Sequence, residues 1–280
     1  MRIQLNNLKK CFGEHTAVDI PHFTIDNGQM VGLVGNNGAG KTTLFRLMLD
    51  LSKATEGNVL IDDIDPAKSE DWKLQTGAFI DNSFLIDFLT AEEYFEFVGK
   101  VSGMTREQVA ERLKTFETFM GDEIMGQKKY IRDFSAGNKQ KIGIVAAMLN
   151  HPQLLILDEP FNFLDPSSQN ILKQMLTHYN QTTGATVLLS SHNLQHTVDV
   201  SSRIVLLEHG VIVKDLANSN GCADKELEHY FMVGATEEQT EEETEGKAEE
   251  ETVGKAEEKQ EGQAEGKAEE RTDRTAEEQP

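Results

Sequence analysis

Gly35-Asn36-Asn37-Gly38-Ala39-Gly40-Lys41-Thr42-Thr43 is the stretch from which the rest of the chain can be read. It fits the spacing G-x-x-x-x-G-K-[ST] of a phosphate-binding loop. Before it, Gln29-Met30-Val31-Gly32-Leu33-Val34 reads as a short buried strand. After it, Thr43-Leu44-Phe45-Arg46-Leu47-Met48-Leu49 reads as the start of a helix with an apolar face. A strand, a glycine loop and a helix N-terminus together make an anion site. The glycines let the backbone turn its N–H groups inward, and the helix dipole favours negative charge there. Lys41 is expected to reach the β- and γ-phosphates, and the Thr42 hydroxyl to ligate Mg²⁺.

Working outward, residues 2–8 alternate apolar and polar as a half-buried strand, with Ile3 and Leu5 on one side. Cys11-Phe12-Gly13-Glu14 reads as a turn, residues 17–25 as a second strand pair, and Asp26-Asn27-Gly28 as a turn. Val59-Leu60-Ile61 and Thr76-Gly77-Ala78-Phe79-Ile80 read as short strands, with Trp72 between them expected at a domain edge. From about residue 84 the texture becomes helical. Thr90-Ala91-Glu92-Glu93 is a capping box, and Thr105-Arg106-Glu107-Gln108 starts another helix.

The α/β pattern resumes with a helix over 137–149, the apolar strand Leu154-Leu155-Ile156-Leu157, and a helix over 167–179 introduced by Asp165-Pro166. A buried strand, Thr186-Val187-Leu188-Leu189-Ser190, follows. Residues 203–207 and 211–213 then flank the turn Glu208-His209-Gly210. Strands alternating with helices predict an α/β fold: a phosphate-loop NTPase core with a mainly parallel sheet, an antiparallel β subdomain and an inserted helical subdomain at about 84–150.

Charge divides the 280 residues unevenly. The net charge is −21, of which residues 236–280 carry −12 through 18 acidic and 6 basic side chains. That stretch repeats Gly-Lys-Ala-Glu-Glu from Gly246, Gly254 and Gly266, and Val253 is its only apolar residue apart from alanine. It cannot bury enough surface to offset chain entropy, so it reads as a disordered acidic tail behind a domain at 1–235. The rest is acidic too, which argues against a nucleic-acid partner. Two cysteines, Cys11 and Cys222, are too few for a disulfide framework and point to a reducing, cytoplasmic compartment. No run approaches the ~20 apolar residues of a membrane span.

The second chemical centre is Asp158-Glu159, closing the strand 154–157. In a parallel sheet that end lies beside the phosphate loop. Asp158 is placed to hold Mg²⁺ through water, and Glu159 to orient or deprotonate the attacking water. Phosphoryl transfer needs chiefly positioning and charge neutralisation, which these acids with Lys41 and Thr42 supply.

Further motifs join these. Phe134-Ser135-Ala136-Gly137-Asn138-Lys139-Gln140-Lys141 resembles the LSGGQ signature of ABC ATPases, and it sits upstream of Asp158-Glu159-Pro160 as that family places it. Asn162-Phe163-Leu164-Asp165 resembles the D-loop, and Ser190-Ser191-His192 the switch-histidine loop. Phe12 lies where the family has an aromatic that stacks on adenine. The resemblance covers residues 1 to about 216. It implies a dimer with two ATP molecules between the subunits. One subunit would offer the loop 35–43, the other Ser135, Ala136, Gly137 and Asn138. Asp165 would couple the sites, and His192 would contact the γ-phosphate. The signature departs at Ala136 and Asn138. The family's Q-loop glutamine falls at Asp81, a shorter, charged side chain that can still meet Mg²⁺ or water.

The resemblance further implies an ATPase that uses Mg²⁺ and powers an ABC transporter of exporter type. It would act as a homodimer on the cytoplasmic face, bound to transmembrane permease subunits encoded elsewhere. Large apolar residues after Asp81, among them Phe84, Leu85, Phe88, Tyr94, Phe95 and Phe97, fall where the family receives a cytoplasmic helix of the membrane subunit. Most are expected in the core, a few in an exposed groove. The alternative is a soluble ABC ATPase acting on a ribosome or another cytoplasmic complex.

Overall fold

The structure is a computed structural model and describes residues 1–218; the expected disordered tail at 236–280 lies outside the described residues. Among the described residues the strands form two sheets. In the first, β1 (Ile3–Phe12) is central, with β2 (His15–Ile25) and β4 (Glu56–Ile61) antiparallel on either side. The second contains β3 (Met30–Val34), β5 (Thr76–Phe79), β6 (Leu154–Leu157), β7 (Thr186–Ser191), β8 (Arg203–Glu208) and β9 (Val211–Ala217). Its order is β5-β6-β7-β3-β8-β9, parallel throughout except for β9.

That order positions the site. The neighbours β6, β7 and β3 end side by side, so the segments after Leu157, Ser191 and Val34 leave from one edge, where ligands of open parallel sheets bind. All three strands are buried at every position, as expected of near-continuous apolar runs covered on both faces. Alternation within β6 divides the core. Leu155 and Leu157 join a cluster with Phe95, Phe119, Ile142 and Leu172. Leu154 and Ile156 join another with Phe45, Met48, Leu5 and Ile20. The first cluster seats α2 (Ala91–Val101), α3 (Arg106–Lys114), α4 (Glu117–Met120), α5 (Ala136–Met148) and α6 (Pro166–Thr183). The second seats α1 (Lys41–Met48) beneath the antiparallel sheet.

The expected capping box at Thr90 is present: Thr90 Oγ1 accepts from the Glu93 N–H at 3.3 Å, and Glu93 accepts from the Thr90 N–H at 2.8 Å. Thr105 and Gln108 form a second. Three local readings change. β1 runs on through Cys11 and Phe12, paired with Thr16 and His15, so the turn shrinks to Gly13-Glu14. Residues 17–25 are one strand rather than a pair: the register steps from Asn6–His22 to Leu8–Ile20, passing Pro21, which has no N–H to donate. Trp72 is no edge residue; it is buried in the second cluster, and its indole N–H donates to the Ser69 carbonyl at 2.9 Å.

Candidate functional site

The phosphate loop is built against its neighbours. Gly40 has φ +104°, and a Cβ there would lie 2.4 Å from the Ala17 carbonyl oxygen of β2. No other residue type fits this turn. The Ala39 carbonyl accepts from Gly210 N–H at 2.9 Å, which ties the loop to the β8–β9 hairpin. Gly40 caps α1 without a side chain, so the first-turn N–H groups have no side-chain cap. Lys41 is buried. Its ammonium donates to the Gly35 and Asn36 carbonyls at 2.5 and 3.2 Å and stands 3.4 Å from Glu159 Oε1.

Asp158 and Glu159 leave β6 directly opposite. Thr42 Oγ1 donates to Asp158 Oδ2 at 2.5 Å, and Ser190 Oγ donates to Oδ1. Burial pushes the Asp158 carboxyl above the ordinary carboxylate range, against these two hydroxyls. Glu159 has φ +47°, a costly backbone conformation for this residue type, and it is held there from several sides. Its N–H donates to Ser190 Oγ at 2.8 Å, and its carbonyl accepts from Gln140 Nε2 at 3.1 Å. Its Oε2 accepts from the His192 N–H at 3.3 Å and lies 2.9 Å from His192 Nδ1.

A second group gathers elsewhere. Ser135 caps α5, its Oγ accepting from the Asn138 N–H at 3.2 Å, while Asn138 Nδ2 donates to Glu123 at 3.2 Å. Gly137 packs under the next loop, where a Cβ would lie 2.6 Å from the Phe163 carbonyl oxygen. Asp165 caps α6 by accepting from the Ser168 N–H at 3.0 Å and the Ser168 hydroxyl at 2.6 Å, bonds that hold its carboxyl below the ordinary range. Ser135, Gly137, Asn138, Lys141, Phe163 and Asp165 line an open groove of about 410 Å³. Among the described residues, no hydrogen bond or ion pair joins Ser135, Gly137, Asn138 or Asp165 to residues 35–43.

The family model described as ABC transporter matches residues 18–162. The chain belongs to the ABC transporter family. The bacitracin transport ATP-binding protein BcrA of Enterococcus faecalis is 31% identical over 219 residues, covering 76% of this chain and 68% of its own. The linearmycin resistance ATP-binding protein LnrL of Bacillus subtilis is 32% identical, covering 75% and 68%. A methionine import ATP-binding protein of Bacillus cereus is 30% identical, covering 76% and 64%. A dimeric ATP-binding cassette in a post-hydrolysis state, bound to ADP and Pi, superposes with TM-score 0.68 at 25% identity over 78% of this chain and 99% of its own. The chain is the ATP-hydrolysing subunit of an ABC transporter.

Two further residues singled out for this ABC ATPase stand outside both groups. Phe12 is 56% exposed at the β1–β2 hairpin, with Lys10 Nζ 4.7 Å from its ring centroid. Asp81 follows β5 and caps a short turn, its Oδ1 accepting from the Ser83 N–H at 2.7 Å and its Oδ2 from Arg46 Nη2 at 3.2 Å. Partial burial pushes its carboxyl up, but these bonds outweigh that and hold it below the ordinary range.

Among the described residues, Thr42 and Asp158 are the pair of oxygen donors that would fit a divalent cation. They present hard oxygen donors already in contact, a set that suits Mg²⁺, which takes one or two protein ligands and completes its shell with phosphate and water oxygens. Among the described residues no three His, Cys, Asp or Glu side chains cluster as a metal site.

Sequence reading did not single out Gln140, Ser190 or Arg46 as site residues. Ser190 was legible only as part of the Ser-Ser-His turn; that its hydroxyl serves both Asp158 and Glu159 depends on β6 and β7 being neighbours. Gln140 is buried within α5 and carried no signal apart from lying in the signature helix.

Proposed function

We propose that residues 35–43, with Asp158, Glu159 and His192, form an Mg·ATP site that a second copy of the chain completes with Ser135, Ala136, Gly137, Asn138 and Asp165. Lys41 turns from the Gly35 and Asn36 carbonyls to the β- and γ-phosphates. Thr42 and Asp158 hold Mg²⁺, which neutralises charge on the phosphate oxygens. Glu159 orients or deprotonates the attacking water, and His192 contacts the γ-phosphate. Phe12 stacks on adenine. Residues 1–235 make up the ATPase domain, with a helical subdomain at about 84–150 and an acidic extension at 236–280.

The observation that carries this reading is the bracing of Glu159. Ser190 and Gln140 fix its backbone, while Lys41 and His192 face its two carboxylate oxygens. A glutamate held at a strained φ, by two residues on its backbone and two on its carboxylate, is set for a positional task.

Export, rather than import, is the proposed direction of transport, supported by the bacitracin transport and linearmycin resistance relatives. No helix of the described residues is long and apolar enough to cross a membrane. The chain is proposed to work on the cytoplasmic face, held by transmembrane permease subunits, as its ATP-binding relatives of transport systems support. Phe84 and Phe88, 46% and 68% exposed just beyond Asp81, support that contact, whereas Leu85 and Phe95 from the same run are buried. Co-purification tests it. The chain is expected in the membrane fraction with its permease, and Phe88→Asp is expected to release it. Retention of the variant at wild-type level would exclude this docking face.

A further inference from the structure

The contact between Arg46 and Asp81 is not used by the chemistry proposed above. Arg46 lies one helical turn beyond Thr42 on α1, so both side chains project from the same face of the helix. Asp81 lies two residues beyond β5, and the last residue of that strand, Phe79, accepts from the Asp158 N–H at 2.9 Å. The Arg46–Asp81 pair thus joins α1 to the segment after β5, and the Thr42–Asp158 pair joins the same helix to the segment after the adjacent, parallel strand β6. Yet Asp81 is turned elsewhere. One oxygen takes the Ser83 N–H, the other the Arg46 guanidinium at 3.2 Å, and no third carboxylate gathers with Asp158 and Glu159 among the described residues.

We propose that Arg46 is a positioning residue that latches Asp81 outside the metal end of the ATP site, and that Mg²⁺ arriving with nucleotide competes with Arg46 for this carboxylate. The inference rests on the reading that Thr42 and Asp158 hold the metal. Bringing a further carboxylate beside Asp158 without a cation is unfavourable, because like charges repel. Arg46 supplies a counter-charge in the meantime. The hold is weak enough to reverse. The two side chains are 45% and 39% exposed, and ion pairs of that kind shift an equilibrium by only about two- to fivefold. A neutral amide at position 81 would offer the guanidinium no charge, so the latch belongs to aspartate. Asp81 is ionised at neutral pH, its carboxyl held below the ordinary range by Ser83 and Arg46 against partial burial.

Calorimetric binding of AMP-PNP to the full chain tests the latch, measured in Mg²⁺ and again in EDTA. The readout is the Mg²⁺-dependent gain, Kd in EDTA over Kd in Mg²⁺, which a change in folding alone does not move. Arg46→Ala is expected to raise the gain about two- to fivefold by freeing Asp81. Asp81→Asn is expected to lower it, and in that background Arg46→Ala is expected to change nothing. Arg46→Lys, which keeps the charge, is expected to stay near wild type. A gain untouched by Arg46→Ala, or raised by the same factor with and without Asp81→Asn, overturns the latch; the second result would mean that Arg46 acts directly on the cation. Asp158→Asn is the control on the site itself. It should abolish the gain whether or not the latch exists, and a gain that survives it removes both the metal site and the latch.

Discussion

The loop 35–43 with Asp158, Glu159 and His192 differs from the groove of Ser135, Gly137, Asn138 and Asp165 in how its polar groups are used. In the first, bonds cross between elements: α1, β7 and α5 each bond to the segment that follows β6. In the second, Ser135 and Asp165 bond within their own helix starts, capping α5 and α6. Phe163, 68% exposed at φ +64°, forms part of its rim. One region is closed by its own chain; the other is organised and left open. On the proposed reading the second exists for another copy's nucleotide.

The largest effect is expected in the braced region. Glu159→Gln should retain ATP binding and lower turnover by about 10²–10⁴-fold, the range for removing a general base. A steady-state phosphate assay near wild-type rate would take Glu159 out of the chemistry. Ser135→Arg tests the open region. It should leave ATP binding to a single copy intact while lowering hydrolysis about 10²-fold, as when a preorganised donor is lost. Light scattering should show no ATP-driven dimer. Normal dimerisation with normal turnover would erase the distinction between the regions.

A smaller change probes packing beneath the groove. Gly137→Ala puts a Cβ 2.6 Å from a backbone carbonyl oxygen and should destabilise the fold by about 1–3 kcal/mol, read from the urea midpoint. The smallest effect concerns Asp158 in the nucleotide-free chain. Its folded-state pKa is raised by burial, so the native state binds more protons than the unfolded state above the ordinary value of about 3.9. Stability from this group therefore falls as pH rises from there through the raised value. Asp158→Asn removes that fall while abolishing hydrolysis. Its urea midpoint should gain on wild type as pH rises through that window; parallel profiles would show that burial of Asp158 costs the fold nothing.

What could be read from the sequence follows the same divide. The loop 35–43 and Asp158-Glu159 were legible because each is contiguous and closes an apolar strand. Their mutual bracing was not, because it depends on the order β6-β7-β3, which brings residues 42, 158 and 190 together from distant parts of the chain. Ser190 was hidden for that reason, and Gln140 because it is a buried position within α5 whose bond to Glu159 depends on how that helix packs. Asp81 was legible as the carboxylate standing where the resemblance puts the Q-loop glutamine, but Arg46 beside it was only another residue in an amphipathic helix. Local geometry was harder still. Cys11 and Phe12 looked like part of a turn, yet cross-strand pairing carried β1 past them.

The claim that one region serves the other copy's nucleotide is tested most directly by mixing two inactive variants. Lys41→Ala breaks the loop and leaves the groove; Ser135→Arg breaks the groove and leaves the loop. In a mixed dimer, both defects fall in one site and the other site is whole. Equal mixing of a symmetric dimer should therefore restore up to about a quarter of wild-type ATPase activity. A mixture as inactive as either variant alone would place loop and groove in the service of the same chain's nucleotide and contradict the composite site.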